Sequence, residues 1–154
     1  MKMPKLILIC GGSCSGKTTL GNLLANCMEN TLLLSMDNYF INYSSYAEEE
    51  LANINFDIPE AFHTDLLIKN LNDIIKHRHT ELPIYDFKNH KIGNWRTYAD
   101  TPQYIIVEGI MTFCSEELLR MSSLKIFVET PMDIMLWRRV SRDSSFGFRL
   151  LSMS

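Results

Sequence analysis

The stretch GGSCSGKTTL, Gly11 to Leu20, follows directly on the apolar run LILIC (6–10) and restricts this chain more than any other feature. Gly11-Gly12-Ser13-Cys14-Ser15-Gly16-Lys17-Thr18 fills every fixed position of the pattern GxxxxGK[ST]. Between a strand and a helix, such glycines let successive backbone N–H groups turn inward on an anion, aided by the positive end of the helix. In that pattern Lys17 reaches the β and γ phosphates and the Thr18 hydroxyl ligates Mg²⁺. Cys14 is expected to act as a small filler through its backbone. The loop points to a nucleoside triphosphate, ATP or GTP, with Mg²⁺.

Periodicity supplies the frame around the loop. LILIC, TLLLS (31–35), YIIVE (104–108) and LKIFVE (124–129) are short apolar runs of the kind buried on both faces of a parallel sheet. Between them, Lys17 to Met28 is expected to be helical, and so is Pro59 to His77, where Phe62, Leu66, Leu67, Leu71, Ile74 and Ile75 make a stripe. Thr130-Pro131-Met132-Asp133 predicts a further helix start, with Thr130 as N-cap and the proline at N1. Strands alternating with helices give an α/β, doubly wound parallel sheet with helices on both faces. Tyr39 to Asn55 and Leu82 to Thr101 are polar with interspersed aromatics, and are expected to be functional loops or a small hairpin.

Bulk properties exclude several classes. At 154 residues and 46% apolar, the chain is the size of one domain, taken as 1–154. A formal charge of -3 gives no electrostatic footprint for nucleic acid. No run approaches the roughly 18 apolar residues of a membrane span. Cys10, Cys14, Cys27 and Cys114 form no CxxC pair or zinc spacing, with Cys10 and Cys27 expected in the core and the whole suited to a reducing cytoplasm. No NK dipeptide and no DxxG follow the loop, which disfavours a GTPase.

A kinase for a small alcohol needs a carboxylate near the γ-phosphate to take the hydroxyl proton. Asp37, closing the second strand in SMDNYF, sits at the carboxyl edge where such sheets bind ligands. On position alone it is as well read as a turn cap. Glu108 ends YIIVE ahead of Gly109, and is either a Mg²⁺-holding group acting through water or a solvent-facing strand end.

From Gly11 to Asp143 the chain resembles the uridine kinase branch of the phosphoribulokinase/uridine kinase family. The likeness rests on GGSCSGKTT, which extends the loop to Thr19, on the Asp37-led DNYF, and on NFDIPEAF, PIYDFKNH, IIVEGIM and WRRVSRD in family order. It implies that Asp37 activates a ribose 5′-hydroxyl and that Asp57 bonds the 2′ and 3′ hydroxyls. It also implies that Tyr85, Phe87 and His90 contact a pyrimidine, and that Arg139 and Arg142 lie beside ribose and phosphates. The implied reaction is phosphoryl transfer to uridine or cytidine. A sugar phosphate or pantothenate is the nearby alternative acceptor.

Three departures stand out. Phe40 occupies the place where the family often has Tyr, with Tyr39 one residue earlier. Ile58 and His63 replace a His and an Asp in the NFDIPEAF block. After Asp143 the family runs into a lid containing Arg-Gly-Arg, whereas SSFGFRLLSMS puts Gly147 at the first arginine and Arg149 at the second. Residues 144–154 are thus expected to be an atypical tail, with lid and last edge strand missing and an apolar edge left unpaired. The competing expectation is a catalytically impaired short form that binds nucleotide, forms a homo-oligomer or assembles with full-length kinase subunits.

Overall fold

In the computed structural model, residues 2–145 are described. The elements follow the apolar runs: β1 Lys5–Gly11, α1 Lys17–Cys27, β2 Thr31–Ser35, α2 Glu48–Leu51, α3 Thr64–Ile75, β3 Thr80–Asp86, β4 Lys91–Tyr98, β5 Tyr104–Gly109, α4 Glu116–Met121, β6 Leu124–Val128 and α5 Met132–Ser145. Four strands form a parallel sheet in the order β2-β5-β1-β6, and β3 pairs antiparallel with β4 in a separate two-stranded sheet.

Successive side chains of a strand leave opposite faces, so the continuous apolar runs need cover on both sides. Ile7, Ile9 and Ile106 pack on one face with Leu20 and Leu24 of α1. Leu6, Leu8, Ile105 and Val107 pack on the other with Leu67, Leu71 and Ile74 of α3 and Leu118 of α4. The sheet is therefore doubly wound, as the alternation predicts.

Four details differ from expectation. β6 is not buried on both faces: Leu124 is 50% exposed and Phe127 62%, because among the described residues this strand pairs only with β1. Cys27, at the last position of α1, is exposed, whereas Cys10 is buried; all four cysteines are free. The helix expected from Pro59 is α3 and begins at Thr64, five residues later, while Pro59 opens a separate 3₁₀ turn. Phe62 then extends to bridge Phe40, their rings stacked with centroids 4.3 Å apart. Thr130 does not cap α5, because the helix starts only at Met132, and its hydroxyl donates instead to the loop after β1. The predicted small hairpin is present as β3–β4, and α4 was not anticipated. The tail from residue 146, with Gly147 and Arg149, lies outside the described residues.

Candidate active site at the carboxyl edge of the sheet

The loop between β1 and α1 is built by close approach. A Cβ on Gly11 would stand 2.6 Å from Ser15 Oγ and 2.9 Å from Val128 O, so only glycine fits where the loop leaves the sheet. Gly16 takes φ 100, and Cys14 takes φ 61 without the freedom of glycine. Ser15 N donates to Gly12 O at 3.1 Å, and Lys17 Nζ donates to the same carbonyl at 3.2 Å. Lys17 and Ser15 are both buried, and among the described residues Ser15 Oγ has no hydrogen-bond partner. A buried hydroxyl without a partner in a loop beside a buried ammonium fits an anion that supplies the acceptor.

β2 and the 3₁₀ turn after it deliver Asp37 to the same place. Ser35 Oγ accepts from Asp37 N at 3.3 Å, which fixes the turn. One cleft of about 820 Å³ is lined by Ser13 to Thr19, Asp37, Phe40, Asp57, Ile110, Thr130, Arg138 and Arg142. It gathers Lys17, Asp37, Asp57 and Arg142 around a common space, although they come from α1, the β2 turn, the 55–62 segment and α5. Burial raises the Asp37 carboxyl above its ordinary value; Lys17 opposes this, Asp57 adds to it and Arg142 opposes it.

Glu108, 4% exposed at the end of β5, is likewise raised by burial. The Ser35 hydroxyl opposes that shift, the Asp37 charge adds to it, and Lys17 and the Thr18 hydroxyl oppose it. So Glu108 is no solvent-facing strand end. It lies behind Thr18, whose side chain is exposed to the cleft. Among the described residues no three His, Cys, Asp or Glu side chains cluster as a metal site. A hydroxyl backed by a carboxylate fits a hard cation that keeps waters and phosphate oxygens as its other ligands.

The base-contacting candidates lie further out. Tyr85 is 7% exposed and its hydroxyl donates to Ile41 O at 2.9 Å, so that hydroxyl is already used. Phe87 is 57% exposed at the tip of the hairpin. Their rings are 5.1 Å apart, and Tyr85 stands 5.7 Å from Phe40, which lines the cleft. His90 takes φ 54 and its carbonyl accepts from Tyr43 N at 2.8 Å. The three do not line the cleft themselves; an aromatic row connects Tyr85 and Phe87 to it. Arg139 is exposed and also outside it, whereas its neighbour Arg138 lines the cleft and donates to Cys14 O at 3.3 Å. Sequence reasoning missed Arg138, which lies three residues after Met135 on the α5 face that meets the loop. Phe40 lines the cleft, while the Tyr39 hydroxyl turns into the core and donates to Asn70 Oδ1 at 2.9 Å.

Comparison with known proteins agrees with this geometry. The uridine kinase of Borrelia duttonii (strain Ly) is 41% identical over 149 residues, covering 97% of this chain and 72% of that protein. The uridine kinase of Streptococcus equi subsp. zooepidemicus is 38% identical over 146 residues, covering 93% and 70%. Phosphoribulokinase from Rhodobacter spheroides has the same fold at 17% identity, with a TM-score of 0.70 over all of this chain and 60% of that one. The profile of the phosphoribulokinase/uridine kinase family matches residues 6–147, and this chain, with its phosphate loop, parallel sheet and cleft-lining carboxylates, belongs to that family.

Proposed function

We propose that residues 1–154 form one nucleoside kinase domain that moves the γ-phosphoryl group of ATP or GTP to the 5′-hydroxyl of uridine or cytidine, in the cytoplasm. The observation that carries this is the shared cleft: the raised Asp37 carboxylate, Asp57 and the phosphate loop with Lys17 face one space. The uridine kinases quoted above supply the acceptor class.

Asp37 accepts the proton of the 5′-hydroxyl as its oxygen forms a bond to the γ-phosphorus. The bond from that phosphorus to the bridging β–γ oxygen breaks, and the nucleoside diphosphate leaves with the electron pair. Lys17 and Arg142 hold the charge that spreads over the phosphoryl oxygens. Asp57 accepts hydrogen bonds from the ribose 2′ and 3′ hydroxyls, and orients the sugar. Phe40 offers an apolar wall, with Tyr85, Phe87 and His90 toward the base. Thr18, with Glu108 behind it, holds Mg²⁺, which neutralises phosphate charge when bound. Products are UMP or CMP with the nucleoside diphosphate.

The test is nucleoside diphosphate formation by the purified chain with MgATP, with and without uridine, beside Asp37→Asn. Uridine-dependent turnover that the variant loses supports the assignment. Turnover independent of uridine, or kept by the variant, overturns it.

A second reading is favoured by the exposed apolar side chains on β6 and α5. In it the chain binds nucleotide without turnover and associates through that face with copies of itself or with longer kinase subunits. Mixing it with a longer uridine kinase and measuring both subunit exchange and rate separates the two.

A further inference from the structure

A loop that cradles an anion with its N–H groups turns the carbonyls of the same peptides outward, and those carbonyls need donors to stay turned. Here one segment supplies them. Thr130 Oγ1 donates to Ser15 O at 2.7 Å, and Arg138 Nη1 donates to Cys14 O at 3.3 Å. Met135, between them on α5, brings its sulfur to 3.2 Å from where a Gly12 Cβ would stand. The two donors meet consecutive peptides: Cys14–Ser15, whose N–H closes the turn on Gly12 O, and Ser15–Gly16.

The loop needs this support. Cys14 sits in the left-handed region, which costs a residue with a Cβ about 1 kcal/mol and persists only where the surroundings impose it. Ser15 does not impose it, since its buried hydroxyl bonds to none of the described residues. Within the loop the one main-chain bond runs from Ser15 N to Gly12 O, on the other side of the Cys14 peptide.

We infer that Thr130 and Arg138 are positioning residues of the nucleotide site, clasping the Cys14 and Ser15 carbonyls from outside so that the loop is preformed for a triphosphate. The β6–α5 segment then sets nucleotide affinity through the shape of the loop. This deepens the proposed function and rests on its nucleotide half alone.

The test uses the full chain and isothermal titration with MgATP and, separately, with uridine, together with the melting temperature of each unliganded protein. Thr130→Val keeps the shape and removes the donor; Thr130→Ser restores it. Arg138→Gln removes the guanidinium independently. The clasp predicts that Thr130→Val weakens MgATP binding roughly ten-fold, the size of one lost hydrogen bond. Thr130→Ser should return it to within about two-fold, Arg138→Gln should weaken it at least as much, and uridine affinity should hold throughout. Equal MgATP affinity in wild type and Thr130→Val overturns the clasp, as does a parallel loss of both ligands with a lower melting temperature. A wild type that binds uridine but not MgATP overturns the phosphate-loop reading and the clasp with it. A wild type that binds MgATP but not uridine removes the acceptor assignment and leaves the clasp to be decided by the variants.

Discussion

Asp37 and Glu108 are two carboxyls that burial disfavours as anions, and the Asp37 charge adds to the upward shift of Glu108. Folding therefore keeps Asp37 at a cost, and the sign of that cost is checkable. A carboxyl whose folded value is raised contributes stability below its ordinary value of 3.8 and loses that contribution as pH rises through the raised value. Asp37→Asn should therefore melt higher than wild type at neutral pH, with the difference shrinking as the pH falls toward 3.8, while turnover drops ~10²- to 10⁴-fold. Thermal melts over a pH series, beside a rate assay, check both halves. The acid limb of kcat/KM should follow ionisation of Asp37 and so lie above the ordinary carboxyl range. Because the Asp57 charge adds to the upward shift, Asp57→Asn should move that limb to lower pH, read from pH–rate profiles of the two proteins. At this scale, Gly11 to Thr18 and Asp37 were legible because a fixed spacing and a strand end carry the chemistry. Arg138 was not, because two adjacent arginines on one helix look alike until the direction of the loop is known.

At the scale of elements, the turn carrying Asp37 is tied to α3 and the hairpin by a buried polar chain. Tyr39 donates to Asn70 Oδ1, and Asn70 Nδ2 donates to Thr80 Oγ1 at 2.8 Å and to Glu81 O at 3.0 Å. Tyr39 and Asn70 are each 1% exposed and Thr80 5%, so an unpaired member would be left without water. Asn70→Leu should lower unfolding free energy by about 1–3 kcal/mol by denaturant titration, and loosen the Asp37 turn with it. The apolar stripe on α3 was legible from its spacing, and Leu67, Leu71 and Ile74 are indeed fully buried. Asn70 was not, since a polar residue inside a stripe declares its partners only when β3 is in place. The helix start shifted to Thr64 for a similar reason: the backbone around Phe62 extends to bridge Phe40, a tertiary demand that the local pattern does not carry.

Across the molecule, β6 is an edge strand among the described residues, and Leu124 and Phe127 there join Met132, Leu136 and Trp137 of α5 in being exposed. An apolar strand with an open edge invites pairing with another chain. Sedimentation velocity should show association that grows with concentration, and Phe127→Lys should shift it toward monomer without changing the far-ultraviolet circular dichroism. Alternating apolar runs were enough to foresee four parallel strands, although the burial on both faces that they imply holds for β1 and β5 and not for β6. They could not foresee which strand would lie at an edge, since order within a sheet is decided by how α1, α3 and α4 cross over it.

The hairpin β3–β4 shares no strand with the parallel sheet. Its tip is held locally by Asp86, which accepts from Lys88 N and Asn89 N, and its base is held by the Asn70 chain. Such a unit can lengthen, shorten or change its tip residues while the strands that carry Lys17 and Asp37 keep their register. In the proposed kinase, changes in the hairpin would therefore bear on the acceptor while the phosphate loop keeps its geometry.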